Sequence, residues 1–183
     1  MDKRVEKTTK KLTDALFELL KSKQISSITV SELCLKAGVN RRTFYIHYAK
    51  ISDIFTDYRD SLANQVSRAL AVKNVDAKHL LTVFDRILMS NFDGFRYLCI
   101  TEAQHELVDE LQGMLFSTLL DVLQVNEQNA EGNVIVEYIA YGVVNSYVFW
   151  FKHPELVDYH KLNQSNADII AANLELLRKT RMN

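Results

Sequence analysis

The chain has 183 residues, of which 48% are hydrophobic and 25% are charged, so it holds one or two domains and is too apolar to be disordered. One proline and five glycines predict long helices, because these residues are the strongest helix breakers. Two cysteines are too few for a disulfide framework and favour a reducing compartment. The opening MDKRVEKTTKKL lacks the apolar segment of a signal peptide, so we expect a cytoplasmic protein.

The charge of the chain is divided unevenly. Residues 1–50 hold 11 Lys/Arg against 5 Asp/Glu, a net of +6, and residues 51–183 hold 11 against 18, a net of −7. A basic head on an acidic body is typical of a protein whose head binds a polyanion and whose body has a separate role. An ordinary soluble protein with uneven charge is the alternative, and charge alone does not decide between the two.

Three helices are predicted in the basic head. Residues 4–22 carry apolar side chains at helical spacing and indicate an amphipathic first helix. Thr29 and Glu32 form a capping box at the start of the second helix. Gly38 ends that helix where a positive φ is needed, and Asn40 is placed to cap a short third helix.

Further helices are predicted along the acidic body. Ser52 is placed to cap a fourth helix that extends past Leu70, and Asp76 begins a fifth. A break is expected in the segment NFDGFR around Gly94, and the polar run 126–133 is the clearest loop. The remaining helical patterns cover residues 95–100, 101–123, 134–151 and 165–179.

The segment 134–151 is almost continuously apolar, with Glu137, Asn145 and Ser146 as its strongly polar interruptions. Its 18 residues are near the lower limit for a membrane span, but an ionisable side chain inside a span is costly and nothing else in the chain looks membranous. We expect instead a helix buried on nearly every side, in the core and against a second subunit. With no strand pattern anywhere, the predicted fold is all-α and no membrane partner is predicted.

The last predicted helix carries small and apolar side chains on one stripe. Small residues allow close helix packing, and a terminal amphipathic helix is a common dimer element. We therefore predict a homodimer contact through Ala167, Ile170, Ala171, Leu174 and Leu177.

Residues 29–48, two short helices around a glycine-containing turn, form a helix-turn-helix. The second helix of such a unit enters the major groove of DNA. Arg41 and Arg42 stand at its N-terminal end, where arginine contacts guanine bidentately or neutralises phosphate. Phe44 and Tyr48 share one face and are assigned to the local core. Three further side chains offer hydroxyl or imidazole groups to phosphates: Thr43, Tyr45 and His47.

The stretch ITVSELCLKAGVNRRTFYIHY resembles the N-terminal domain of the TetR-type transcriptional regulators, and the match covers about residues 8–55. A first helix ending in ALFELL, ITV with its capping threonine, AGV and TFYxHY arrive in the family's order. The resemblance implies a DNA-binding head over residues 1–51 and a helical ligand-binding and dimerisation body over residues 52–183. It also implies a symmetric homodimer on a palindromic operator.

The resemblance also implies roles for single residues. It places the arginines and the three polar side chains of the third helix at DNA-contacting positions, and Thr29 at the phosphate-contacting start of the second helix. Many members carry a phosphate-binding lysine where this chain has Ile51, and Lys50 is the candidate to replace it. NRRTFY followed by an apolar residue at 51 is similar to the subgroup that includes regulators of dihydroxyacetone kinase operons. Some proteins of that subgroup act as co-activators bound to a partner protein.

The body is rich in aromatic and sulfur-containing side chains. In a TetR-like body these residues line an apolar effector pocket between helices, but at helical spacing they also fit an ordinary core. Both interpretations stay open for Phe84, Met89, Phe92, Phe95, Tyr97, Met114, Phe116, Tyr138, Tyr141 and Trp150.

Catalytic and metal-binding signatures are not evident in the sequence. Glu102 and His105 form an E-x-x-H, half of a di-iron site, but no second pair exists and an exposed helical face explains them better. There is no glycine-rich phosphate loop or nucleophile elbow, so we predict no enzyme activity, no cofactor and no metal. Two functions stay open: a ligand-responsive regulator, most often a repressor, that binds double-stranded DNA, or a dimeric co-activator that recruits a partner protein and binds DNA weakly or only in complex.

Overall fold

The computed structural model describes residues 3–71, 75–90, 92–101, 104–126 and 128–180, and all regular structure in these ranges is helical. The helices are α1 (Lys3–Leu20), α2 (Val30–Ala37), α3 (Arg41–His47), α4 (Ser52–Ala69), α5 (Ala77–Ser90), α6 (Phe92–Ile100), α7 (His105–Val122), α8 (Ala130–Lys152) and α9 (Tyr159–Thr180), with a 3₁₀ turn at Ile25–Ser27. The predicted all-α fold is confirmed.

The predicted helix ends of the head are confirmed in atomic detail. The Thr29 hydroxyl accepts a hydrogen bond from the Glu32 amide at 3.2 Å, and the Asn40 carboxamide oxygen accepts one from the Arg42 amide at 2.8 Å. Gly38 follows α2 with φ +62°, a left-handed conformation that glycine adopts without steric cost. These three residues fix the turn between α2 and α3.

The start of α4 differs from the prediction. Ser52 is the first helical residue rather than the cap, and Ile51 before it makes no side-chain capping bond. Asp53 instead turns back, and its Oδ2 accepts hydrogen bonds from the amides of Ala49 (3.0 Å) and Lys50 (2.9 Å). The carboxylate therefore bonds amides in the turn before α4, and not the amides of the first helical turn that a cap at Ser52 would serve.

Three body helices begin with a side-chain oxygen that accepts a bond from the amide three residues later: Asp76 from His79 (2.7 Å), Asn129 from Gly132 (2.8 Å) and Asp158 from Lys161 (2.9 Å). The cap at Asp76 is as predicted. The other two lengthen their helices, so the predicted loop 126–133 is wrong in its second half and α9 starts at Tyr159, before the predicted 165.

The predicted break in NFDGFR falls at the start of that segment and not at Gly94, because α5 ends at Ser90 and α6 begins at Phe92. Gly94 lies inside α6 and is buried. The glycine is tolerated there because packing of a buried helix outweighs its low intrinsic helix propensity. Upstream, α4 ends at Ala69, slightly short of the predicted end.

Two clusters of buried side chains hold the fold together. One fills the body, from Val66 on α4 to Leu177 on α9. The other unites α1, α2, α3 and most of α4, and it includes Leu98, Leu107 and Leu111 from α6 and α7. The head is therefore packed onto the body through a shared core, and α4, α6 and α7 each contribute buried residues to both clusters.

A buried glutamine adds a polar link between head and body. Gln104 precedes α7 and is 1% exposed. Its Nε2 donates hydrogen bonds to the carbonyl oxygens of Leu20 (3.1 Å) and Lys23 (2.7 Å). Carbonyls at a helix C-terminus lack partners within their own helix, so a residue of the body caps the end of α1. Within the body, Arg59 and Glu110 form an ion pair between α4 and α7 at 3.1 Å.

Helix α8 is less enclosed than predicted. Ile139 and Ala140 are buried, but Val134 is 53% and Tyr138 70% exposed, and Phe149 is also exposed. Of the described helices, α8 is long and apolar enough to cross a membrane by length and composition, a test that core helices of soluble proteins also pass. One chain buries only part of α8, and burial of its exposed face against a second subunit stays a prediction.

The predicted dimer stripe on α9 requires a similar correction. Ile170, Leu174 and Leu177 are buried in the core of the body and face their own chain, so they are not free to contact a second subunit. Ala167 is half-buried and packs against the same core, while Ala171 is exposed. The apolar residues that α9 presents outward are instead Ile169 and Leu176.

Candidate nucleic-acid interface

Helix α3 has a buried face that sets its orientation. Phe44 is completely buried and Tyr48 nearly so, both in the core of the head, as predicted. A helix turns about 100° per residue, so the side opposite Phe44 carries Arg42 and Ile46. These two residues form the outermost ridge of the head at α3.

The predicted DNA-contacting residues lie around this ridge. Arg41, Arg42, Tyr45 and Lys50 are exposed, whereas Thr43 and His47 are half-buried on its flank. Thr29 is exposed at the start of α2. The structure thus brings the α3 residues to one outer surface of the head; contact with DNA remains a prediction.

The basic side chains of this surface are not neutralised by the chain itself. Among the residues that the structure describes, the side chains of Arg41, Arg42 and Lys50 make no ion pair and no hydrogen bond; Arg42 and Lys50 are bonded only through their backbone atoms. The ion pairs of the head lie elsewhere, for example between Lys23 and Glu32 at 2.7 Å. The positive charge on and after α3 is therefore free for an anionic partner.

The C-terminal end of α3 is fastened to α4. The hydroxyl of Tyr48 donates a hydrogen bond to Oδ2 of Asp57 at 2.7 Å, and its ring packs against Phe44 with centroids 6.0 Å apart. Burial, and then the neighbouring carboxylate, raises the pKa of Tyr48 well above its usual value. The hydroxyl therefore remains a neutral donor that fixes the end of α3 to α4.

Two positions on or after α3 refine the sequence interpretation. Ile51 is buried in the core of the head, so the residue in the family's lysine position serves packing, and exposed Lys50 is the nearest cation. Ile46 was not among the predicted site residues, although it is 71% exposed. Its spacing of two residues from Phe44 and four from Arg42 is the signal that could have identified it.

A cavity of about 90 Å³ lies inside the body between α4, α5, α6, α7 and α8. Of the predicted pocket residues, Phe84, Phe95 and Met114 line it. Two lining residues carry polar groups: Cys99, whose thiol pKa is raised to about 12 by burial, and Tyr147. The Tyr147 hydroxyl is already committed, because it donates to a carboxylate oxygen of a neighbouring aspartate at 2.6 Å. The cavity therefore offers an almost entirely apolar surface.

The other predicted pocket residues do not line this cavity. Phe92 packs edge-on against Trp150, with centroids 6.0 Å apart. Phe116 packs against the body core, while Met89 and Tyr97 are exposed. These residues lie outside this cavity, and their assignment to an effector pocket stays a prediction.

Tyr138 and Tyr141, also assigned to the pocket, line an external groove along α8. The groove has a volume of about 480 Å³ and is also bordered by Val134, Gly142 and Asn145. An open, partly apolar groove on an exposed helix is typical of a contact surface rather than of an enclosed ligand site.

No group of three His, Cys, Asp or Glu suited to a metal ion occurs among the described residues. Glu102 of the E-x-x-H lies outside those residues.

The comparisons with known proteins concern the fold. No family model and no curated protein sequence matches the chain. Among solved structures, a tetR-family transcriptional regulator from Streptomyces coelicolor is 14% identical, with a TM-score of 0.58 over 96% of this chain and 82% of that one. The dihydroxyacetone kinase operon activator DhaS is 16% identical, with a TM-score of 0.56 over 93% and 96%.

A third match is NalD, the secondary repressor of the MexAB-OprM multidrug efflux pump in Pseudomonas aeruginosa, at 15% identity and a TM-score of 0.56 over 95% of this chain and 97% of that one. The architecture is thus that of helical regulators with an N-terminal helix-turn-helix. More narrowly, the chain has the TetR-type fold, and the resemblance noted over residues 8–55 holds for the fold of nearly the whole chain.

Proposed function

We propose that this chain is a sequence-specific transcriptional regulator that binds double-stranded DNA through α3 and acts in the cytoplasm as a ligand-responsive repressor. The observation that carries the proposal is the placement of Arg41 and Arg42. Both are exposed and form no ion pair within the described part of the chain, on a helix whose opposite face is fixed by Phe44. Arginine so placed can contact guanine O6 and N7 or neutralise phosphates.

The charge distribution also supports binding of DNA at the face of the head that carries α3. The head carries a net of +6 and the body a net of −7. A polyanion attracts the first and repels the second, so DNA approaches the face that carries α3. Counterion release from phosphates then makes affinity depend steeply on salt.

A homodimer is proposed from the exposed apolar faces of α8 and α9. Val134, Tyr138 and Phe149 on α8 and Ile169 and Leu176 on α9 are large apolar side chains that one chain leaves uncovered. Surfaces of this kind favour association, and two-fold symmetry is the commonest arrangement of two copies. Two recognition helices about 34–36 Å apart would enter successive major grooves of a palindrome.

The cavity in the body supports a small, uncharged, apolar effector. Its volume of about 90 Å³ is well below the roughly 300–1,000 Å³ of sites for drug-sized ligands. Any ligand larger than a few carbon atoms must therefore displace helices that line the cavity. Because α4 is one of them, we expect occupancy to change the position of the head and shift the population between DNA-binding and non-binding forms.

The alternative is a co-activator that uses the α8 groove for a partner protein and binds DNA only in that complex. The exposed side chains of Val134 and Tyr138 favour this co-activator, because an apolar surface of this kind can contact a different protein as well as a second copy of the chain. The structural similarity to the activator DhaS agrees with this alternative but establishes only the fold.

The deciding experiment is selection from a random double-stranded DNA pool with the purified full chain at moderate salt and without ligand. The proposal expects one palindrome, bound less tightly as salt rises. Recovery of unspecific, salt-labile binding alone would contradict DNA reading by this chain and support the co-activator.

Variants of Arg41 and Arg42 then test whether these two exposed side chains contact DNA. Arg41→Ala and Arg42→Ala are each expected to cost about 1–3 kcal/mol of binding free energy. If the arginine reads guanine, specificity relaxes at one base pair; uniform weakening across sequences identifies a phosphate contact instead. Lys78→Ala, which removes an exposed cation from α5, is the matched control and should bind normally.

A further inference from the structure

We propose that Ile46 contacts the 5-methyl group of a thymine in each half-site, within about two base pairs of the position reached by Arg42. This inference rests on the proposed function and adds a specificity-determining residue to it.

The position of Ile46 on α3 is the first step. Phe44, completely buried, marks the inward direction of the helix, and Ile46 lies about 160° around the axis from it. Arg42 precedes Ile46 by one helical turn. Both therefore stand on the outermost ridge, and a groove that admits α3 must receive both side chains.

The exposure of Ile46 is the second step. The side chain is 71% exposed and belongs to neither buried cluster nor to the partly buried residues packed on them. The polar residues predicted to meet phosphates lie on the flanks of α3, so they do not separate Ile46 from the groove floor. An apolar side chain in this position is stabilised if DNA binding removes it from water.

The chemistry of the major groove identifies its partner. Base edges there present hydrogen-bond donors and acceptors, and the apolar group among them is the 5-methyl of thymine. Four residues of helix advance about 6 Å, and successive base pairs are about 3.4 Å apart. The thymine is thus expected within about two base pairs of the Arg42 contact.

The test uses the selected operator with single thymines replaced by deoxyuridine, which removes the methyl group and keeps base pairing. Wild-type protein should lose about fourfold in affinity at one thymine of a half-site, the effect of one buried methyl group. Ile46→Ala should bind the unmodified operator more weakly and should be indifferent to that replacement.

Two controls keep the result interpretable. Leu35→Ala, which truncates another strongly exposed apolar residue of the head, should retain both affinity and sensitivity to deoxyuridine. Ile46→Ala should keep the wild-type melting temperature, because the side chain has no place in the core.

Two outcomes overturn the inference while leaving the regulator intact: wild-type protein indifferent to every thymine replacement, or Ile46→Ala as sensitive as wild type. Failure of the wild-type chain to select a palindrome would instead remove the proposed function itself.

Discussion

At the scale of single residues, Tyr48 links the recognition helix to the rest of the molecule through one hydroxyl. Tyr48→Phe keeps the ring against Phe44 and removes the hydrogen bond to Asp57. A hydrogen bond to a charged group contributes about 1.5–3 kcal/mol, so we expect urea unfolding to show a loss of about 1.5 kcal/mol. Tyr45→Phe, on the exposed side of α3, should cost nothing in stability; equal effects of the two changes would contradict this role.

The same pair of variants has a defined pH dependence. The folded state raises the pKa of Tyr48, whereas the unfolded chain ionises near the ordinary value of about 10. The contribution of the neutral hydroxyl is therefore complete below pH 10 and is lost as pH rises above it. The stability difference between wild type and Tyr48→Phe should shrink over that alkaline range.

Residue roles were predictable where the partner is near in sequence. Thr29, Gly38 and Asn40 could be assigned because a helix cap acts on amides or carbonyls within a few residues. The bonds that Asp53 accepts from the amides before α4 could not be assigned, since Ser52 and Asp53 are both polar and lie one residue apart. Ile46 was overlooked because an apolar residue in an amphipathic helix is ordinarily assigned to the core.

At the scale of elements, the groove along α8 predicts how the chain associates. A Cβ added to the exposed Gly142 meets no atom within 4 Å, so Gly142→Arg should fold normally while its long charged side chain blocks a second copy. We expect the molecular mass measured by sedimentation to fall from two chains to one, and operator affinity to fall with it.

Gly113→Arg on α7 is the matched control, because a Cβ there also meets no atom within 4 Å. It should sediment as wild type. A Gly142→Arg protein that still has the mass of two chains would place the subunit contact on another face.

Helix positions were predictable from apolar spacing, but the faces of the helices were not. On α9 two apolar stripes run side by side, one through Ile170, Leu174 and Leu177 and the other through Ile169 and Leu176. Both have helical periodicity, and only the packing of α9 on its neighbours decides that the first lies in the core. Periodicity likewise does not tell which face of a helix lines the cavity, so only some of the predicted pocket residues, among them Phe84 and Met114, do so.

At the scale of the whole molecule, Gln104 should influence the head from inside the body. Gln104→Ala leaves the carbonyls of Leu20 and Lys23 without their donor, at a cost of about 1–3 kcal/mol for buried polar groups. Amide hydrogen exchange should therefore accelerate in the last turn of α1. Gln112→Ala removes another buried glutamine, one that bonds Asn145 in the body, and should leave α1 unchanged.

Comparable acceleration of exchange in α1 by both glutamine variants would indicate general destabilisation rather than a specific link. No sequence pattern predicts the hydrogen bond between Gln104 and the Leu20 carbonyl, because the two residues are 84 positions apart. Contacts of that separation depend on how α1, α6 and α7 meet, and local periodicity carries no information about that arrangement.

If the proposed function holds, the core shared by head and body limits how DNA specificity can change. Leu98, Leu107 and Leu111 belong to the cluster that also holds α1, α2 and α3, so residues 1–51 are not a portable module. A chimera that exchanges them for the head of another regulator inherits mismatched surfaces on α6 and α7. Under the proposed function, new operators are therefore reached more readily by substitutions along the outer ridge of α3, where Ile46 is exposed and outside both buried clusters.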